Sequence, residues 1–176
     1  FTHLYEMRPK VKTDAHQTGR LSELVCSNSF RSDDSVYNAV GLLHEELRLS
    51  NSLIMEAADK NKVPAGSALA VDRDMFSKYI DTKIKSNKYI KVINKEITSL
   101  KIFNDDIVVI ATGPLTTKKL SEEIEEMTSK KSLDFFDAIA PIVYFESIDM
   151  NIAWKQSRYD KGDGDDYINC PLTKSE

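Results

Sequence analysis

The sequence is poor in cysteine: Cys26 and Cys170 are the only two among 176 residues. Two are too few for a disulfide framework and point to a reducing compartment. Also missing is any apolar run approaching the roughly 20 residues of a membrane span, and no signal-peptide pattern opens the chain. A soluble, cytoplasmic protein with no membrane partner is expected. A basic excess is absent too: 24 Lys and Arg against 28 Asp and Glu give a net charge of −4. That excludes a globally basic nucleic-acid module and leaves a local basic patch open. There is no internal repeat, low-complexity tract or Gly/Ser linker, so nothing marks a break into independent domains. The histidines His3, His16 and His44 and the two cysteines lack metal-ligand spacing, so no metal is expected. Asp160 to Asp166 resembles a calcium loop at first sight. Counting from Asp160, however, Gly162, Asp165 and Pro171 fall where an oxygen ligand, Gly and Glu are required, so it reads as a surface turn.

What is present is 41% hydrophobic and 30% charged, enough chain for one domain with a real core. The chain opens inside an apolar run at Phe1 without an initiator Met and stops in a polar tail at Glu176, which reads as a piece of a longer protein. A first strand ends near Glu6, and Met7 to Ser35 reads as a long ordered loop. Val36, Val40, Leu43, Leu47, Ile54 and Ala57 recur at helical spacing, with Ser32 or Ser35 as N-cap. Pro64-Ala65-Gly66 breaks that pattern. Ala68 to Val71 reads as a short strand, and Asp72 to Lys85 as a helix with Met75, Tyr79, Ile80 and Ile84 on one side. Lys91 to Ile97 alternates like a strand. Ile107-Val108-Val109-Ile110 reads as a strand covered on both faces and leads into the turn Thr112-Gly113-Pro114. Thr116 or Thr117 caps a further helix through Met127, and Phe135 to Phe145 is rich in strand formers. Strands alternating with helices predict an α/β domain around a mostly parallel sheet.

Three places carry potential chemistry. Glu6, at a strand end, is either an exposed carboxylate or the acidic residue that takes the ribose hydroxyls of a dinucleotide; the glycine fingerprint that belongs before it is not in this chain. Ala111-Thr112-Gly113 is either an ordinary strand-to-turn junction or a place where the backbone lets a cofactor approach, since Gly113 has no Cβ. Cys26 is either a small hydrophobe or a thiol that moves a proton, in a loop whose polar groups suit a phosphate or a flavin ring. His44, beside Glu45 and Glu46, reads as a solvated helix position, and His16 as a solvent contact near a possible phosphate. The Glu122 to Glu126 acids with Lys130 and Lys131 read as a solvated helix face.

Taken in order, Tyr5-Glu6-Met7-Arg8-Pro9, Glu23-Leu24-Val25-Cys26-Ser27-Asn28-Ser29, Asn38-Ala39-Val40-Gly41, Pro64-Ala65-Gly66, Ala70-Val71-Asp72-Arg73, Ala111-Thr112-Gly113-Pro114-Leu115-Thr116, Ala140-Pro141-Ile142-Val143, Ser157 to Gly162 and Asn169-Cys170-Pro171 form a recognisable series. Over essentially the whole chain it resembles the TrmFO family, folate- and FAD-dependent tRNA (uracil-5-)-methyltransferases related to the GidA flavoproteins. The resemblance implies a Rossmann-like FAD/NAD(P)-binding domain with a mostly parallel sheet, incomplete in this chain. Residues 1–176 would be a partial FAD-binding domain. Within it, 1–35 would carry the second Rossmann strand and cofactor loop, 36–90 a helical segment, 91–116 strands with the Ala-Thr-Gly motif, and 117–176 the following helix and strand region.

The implied reaction moves a one-carbon unit from methylenetetrahydrofolate to C5 of a uridine, using FAD and the reductant NAD(P)H. The usual substrate is the T-loop of tRNA, and a sister branch acts on ribosomal RNA. A non-catalytic RNA-binding flavoprotein is the alternative from another class. By resemblance Cys26 is a catalytic cysteine near the flavin, an acid/base partner rather than the covalent nucleophile, which lies beyond Glu176. Glu6 would hold the adenosine ribose with Met7 and Arg8 beside it. Ser27 and Asn28 would line the flavin side, Ile97 would meet adenine through its backbone, and Thr112 and Gly113 would pass beside the dinucleotide. Cys170 matches a motif cysteine without an assigned role. The upstream phosphate loop and the second half are missing, so residues 1–176 alone are expected to bind no FAD and to methylate nothing.

Overall fold

A computed structural model of the chain describes residues 1–103, 107–130, 143–157 and 165–172. Most of the strand-rich Phe135 to Phe145 stretch and of the Asp160 to Asp166 turn lies outside them. The elements, in order, are β1 (Thr2–Glu6), β2 (Ser29–Ser32), α1 (Ala39–Leu49), α2 (Leu53–Lys60), β3 (Lys62–Val63), β4 (Ala68–Val71), α3 (Arg73–Lys85), β5 (Ile90–Asn94), α4 (Lys118–Thr128), β6 (Trp154–Lys155) and β7 (Ile168–Asn169). The chain is a mixed α/β protein that divides into two compact units, one of residues 1–25 and 81–138, the other of residues 26–80 and 139–176. The mostly parallel sheet expected from the sequence is corrected over the described residues: among them only β1 with β5 is parallel, while β2-β4-β3 and β6-β7 are antiparallel.

In the first unit β1 and β5 run in register from Thr2 opposite Ile90 to Glu6 opposite Asn94, so both carboxyl ends lie at one edge. The pairing continues past the strands, where the Lys95 amide donates to the Glu6 carbonyl at 3.0 Å and the Asn94 Nδ2 donates to the Arg8 carbonyl. Tyr5 meets Phe103 edge-on at 5.3 Å. The buried carboxylate of Glu123 on α4 accepts from Ser99 Oγ at 3.0 Å and from the Leu100 amide at 2.9 Å, tying down the stretch after β5.

The second unit is built around β4. Leu69, Ala70 and Val71 are buried, with α2, which carries the buried Met55, Ala57 and Ala58, packed on the strand, and Phe76 and Ile80 of α3 are buried in the same unit. Burying the Leu, Val, Met, Phe and Ile side chains among them contributes about 1.5–3 kcal/mol each, and Phe30 of β2 adds a tilted ring contact with Phe76 at 5.5 Å. The continuous apolar strand therefore sits at β4. Ile107 to Ile110 forms no strand: Ile107 is fully exposed and Val109 is 83% exposed. β-branched residues favour strands only where a neighbouring strand supplies ladder hydrogen bonds, and none pairs with this run among the described residues.

The helical stripe is corrected as well. α1 and α2 are separate helices, parted at Asn51, whose φ of +55° is left-handed. The N-cap of α1 is Asn38, whose Oδ1 accepts from the Val40 amide at 3.0 Å. Val36, Leu43, Leu47 and Ile54 face outward, while Gly41 and His44 are buried. His44 is thus no solvated residue; its Nδ1 lies 3.0 Å from Asp33 Oδ1, and Arg48 Nη2 donates to the same carboxylate. Arg48 also bonds Asp59 and draws that carboxyl below its usual range. Of the α3 residues expected to share one side, Met75 is exposed and Ile80 is buried. Thr117 occupies the cap position of α4 without a side-chain cap bond, and the Thr116 hydroxyl goes to the Gly113 carbonyl instead.

Candidate functional site

The sequence forces a charge problem at the end of β1, because Arg8 follows two residues after Glu6 and both leave the strand on the way to a loop. Arg8 is buried, only 6% exposed. A buried guanidinium survives only with partners that answer its charge. Glu6 Oε1 accepts from the Arg8 amide and from Nε, both at 2.9 Å, and Oε2 accepts from Nη2 at 3.0 Å. The remaining Nη1 donates to Glu23 Oε2 at 3.0 Å. Glu23 in turn accepts from the Gln17 amide at 2.8 Å and from the Thr18 amide and hydroxyl, which folds the 13–23 loop onto Arg8.

Burial pushes the Glu6 carboxyl up, but the hydrogen bonds and charge of Arg8 outweigh it and hold the group below its usual range. Burial raises Glu23 too, and its bonds from Gln17 and Thr18 bring it down further. Glu6 is therefore no exposed strand-end carboxylate. His16, whose Nδ1 meets Thr13 Oγ1 at 2.8 Å, is only partly exposed; burial, with the nearby Arg8 charge, lowers its pKa.

Cys26 belongs to the second unit and is exposed, so the small-hydrophobe reading is set aside. Its carbonyl accepts from Arg73 Nη2 at 2.6 Å. Asn28 is stitched to the end of β4 twice: its Nδ2 donates to the Val71 carbonyl at 2.9 Å, and its own carbonyl accepts from the Val71 amide at 3.0 Å. Ser27 is exposed, and its Oγ accepts from the Ser29 amide at 3.1 Å. The loop is short, polar and held at three points, with the thiol left open to solvent.

Ile97 lies past β5 without regular structure, partly exposed. Thr112 and Gly113 are exposed at a single 3₁₀ turn, where Thr112 Oγ1 lies 2.6 Å from Thr116 Oγ1. Gly113 has φ +67°, and a Cβ built there meets nothing within 4 Å. Glu6, Met7 and Arg8 are brought together with Asn94 at the carboxyl edge of β1 and β5. Ile97, Thr112 and Gly113 share that unit without a hydrogen bond to them among the described residues. Glu23, Asn94 and Arg73 were missed by sequence reasoning as working residues. Asn94 and Arg73 have partners 86 and 47 residues away, and Glu23 meets Arg8 across a 15-residue loop, relations that carry no spacing signal. Among the described residues no group of three or more His, Cys, Asp or Glu could hold a metal ion, and no helix is long and apolar enough to cross a membrane.

Two features bear on whether a dinucleotide fits these residues. A carboxylate offers about four acceptor positions. Arg8 takes three of those on Glu6, so Oε2 keeps one for a hydroxyl. Gly113 offers bare backbone with open space beside it. Both suit a ribose and a closely passing cofactor, so the residues present fit the group.

Comparison with known proteins covers nearly the whole chain. The family model described as glucose inhibited division protein A matches residues 2–176. The chain is 58% identical over 177 residues to the methylenetetrahydrofolate--tRNA-(uracil-5-)-methyltransferase TrmFO of Bartonella henselae, covering 98% of this chain and 38% of that protein. The proteins of the same name from Zymomonas mobilis and Cereibacter sphaeroides are 56% and 54% identical, again over 98% of this chain and 38% and 39% of theirs. The chain thus spans less than two fifths of the length of these curated relatives. By its matched extent, the chain belongs to the glucose inhibited division protein A family.

Proposed function

We propose that this chain is part of a longer cytoplasmic enzyme that transfers a one-carbon unit from methylenetetrahydrofolate to C5 of a uridine in tRNA, with FAD as cofactor and NAD(P)H as reductant. The observation that carries the reading is the extent of the match: proteins bearing that tRNA methyltransferase name align with 98% of the chain, a span that takes in the Glu6–Arg8 pair and the Cys26 loop. Residues 1–176 would then be a partial, Rossmann-like FAD-binding domain. The parallel register of β1 and β5, with Glu6 at their carboxyl edge, is the local geometry such a domain uses to bind a dinucleotide.

Bound FAD would supply the redox and one-carbon chemistry. The chain's own residues bind and orient. Glu6 accepts a ribose hydroxyl at the position Arg8 leaves on Oε2. The backbone of Ile97 meets the adenine. Thr112 and Gly113 allow close passage of the dinucleotide. Ser27 and Asn28 line the flavin side, and the Cys26 thiol holds or gives a proton. C5 of uracil is a poor nucleophile until a thiolate adds at C6, and its proton must later leave, so the reaction needs a proton carrier distinct from the nucleophile. Cys26 takes the carrier role.

Nucleoside mass spectrometry with site mapping tests the reading. The full-length parent is incubated with unmodified tRNA and ribosomal RNA, methylenetetrahydrofolate, FAD and NADH. New 5-methyluridine in the tRNA T-loop is the expected result. Label confined to ribosomal RNA would change the substrate, and no label on either RNA with FAD bound would leave a binding flavoprotein in place of an enzyme.

A further inference from the structure

Glu23 has no place among the cofactor contacts proposed above, yet its carboxylate takes Arg8 Nη1, the guanidinium nitrogen left over by the Arg8–Glu6 contacts. A guanidinium can approach a carboxylate through its Nε–Nη2 side or end-on through both Nη atoms, and these present different donors. Here the side approach is used, with Nε and Nη2 on Glu6 and Nη1 on Glu23. Glu23 is only 11% exposed at its side chain, and the Gln17 amide, the Thr18 amide and the Thr18 hydroxyl hold it in place. The trio carries two carboxylates for one guanidinium, which keeps Glu6 an acceptor toward anything that arrives at the edge of β1. Without the pull on Nη1, the fork is free to turn end-on and cover the last acceptor position of Glu6.

We propose that Glu23 is a positioning residue for cofactor binding, fixing the Arg8 guanidinium so that Glu6 keeps one carboxylate position for a ribose hydroxyl. The inference rests on the FAD reading above and concerns how that site is held in its binding state. Glu23→Gln keeps an acceptor oxygen for the loop amides but removes the charge and sets an amide N–H₂ group against Arg8. Glu23 then weakens binding when altered without entering the chemistry, and saturating cofactor makes good the loss.

The test uses the full-length parent, with FAD affinity followed by flavin fluorescence and turnover measured at limiting and saturating FAD. Glu23→Gln is expected to raise the FAD Kd about tenfold, as loss of one charge-assisted bond does, with kcat restored at saturating FAD. Thr18→Val, which removes the hydroxyl that donates to Glu23 and accepts from the Arg20 amide while leaving both Glu23 carboxylate oxygens in place, is expected to raise Kd about threefold and serves where Glu23→Gln does not fold. Wild-type affinity in both variants would overturn the inference. So would a loss of turnover that saturating FAD leaves unrestored, since that marks a structural prop. A wild-type parent that binds no FAD would overturn the cofactor reading and the inference with it, a result set apart because the unaltered protein fails.

Discussion

Arg73 reaches back 47 residues to Cys26, its Nη2 donating to the Cys26 carbonyl oxygen at 2.6 Å. The first residue of α3 therefore holds the backbone that carries the thiol. A side-chain to backbone bond from a charged donor contributes about 1.5–3 kcal/mol where it is shielded, and less where solvent reaches it, as here. Arg73→Ala is expected to speed hydrogen exchange of the backbone amides over 26–29 several-fold while leaving exchange in β5 unchanged, read by mass spectrometry of peptic fragments.

Acid should loosen the first unit. Glu6 and Glu23 have folded-state pKa values below those of the unfolded chain, so the unfolded state binds more protons as pH falls. Their stabilising contribution is fully present above the ordinary carboxyl value near 4.5 and is lost as pH drops through the lowered folded values. His16, lowered from 6.5, acts in the same direction, because its neutral form is the folded one. Urea midpoints measured from pH 7 down to pH 3 should decline, and the decline should flatten in Glu23→Gln.

Gly41 is fixed by space rather than by flexibility. A Cβ built there lies 2.2 Å from the Asp34 carbonyl oxygen, an overlap with backbone that no rotamer relieves. Alanine normally improves a helix interior by about 1 kcal/mol over glycine. Gly41→Ala is nonetheless expected to destabilise the protein by more than that gain, seen as a lower midpoint in thermal unfolding followed by far-ultraviolet circular dichroism.

Phe76 is 1% exposed, its ring against that of Phe30. Removing its ring leaves a cavity that neighbouring side chains fill only in part. Phe76→Ala should cost about 3–5 kcal/mol, measured by urea unfolding, and Phe76→Leu a smaller part of that.

The strands and helices that form their own local pattern were legible. β1, β4, α3 and α4 lie where alternation, apolar runs and periodicity place them, within a residue or two. What escaped depended on partners distant in sequence. The α1 stripe obeys helical spacing, yet Asp33 draws His44 and Arg48 inward and leaves Leu43 and Leu47 outside. β2 was missed inside a polar loop because its strand character comes from pairing with β4. Of the candidate site, Glu6 and Cys26 stood out through the strings around them. Neither Arg8's burial nor the hold of Glu23 could be read, since both arise from the 13–23 loop folding back.

Four consecutive β-branched side chains, Ile107 to Ile110, stand open to water on this chain. Such a segment is adhesive, with high β-propensity and no charge or proline inside it. The sequence brackets it with Asp105-Asp106 before and Gly113-Pro114 after, the kind of residues that keep sticky segments from stacking on one another. In residues 1–176 taken alone these two short flanks are the local guard on the run, and neutralising the aspartates is expected to favour precipitation of that piece.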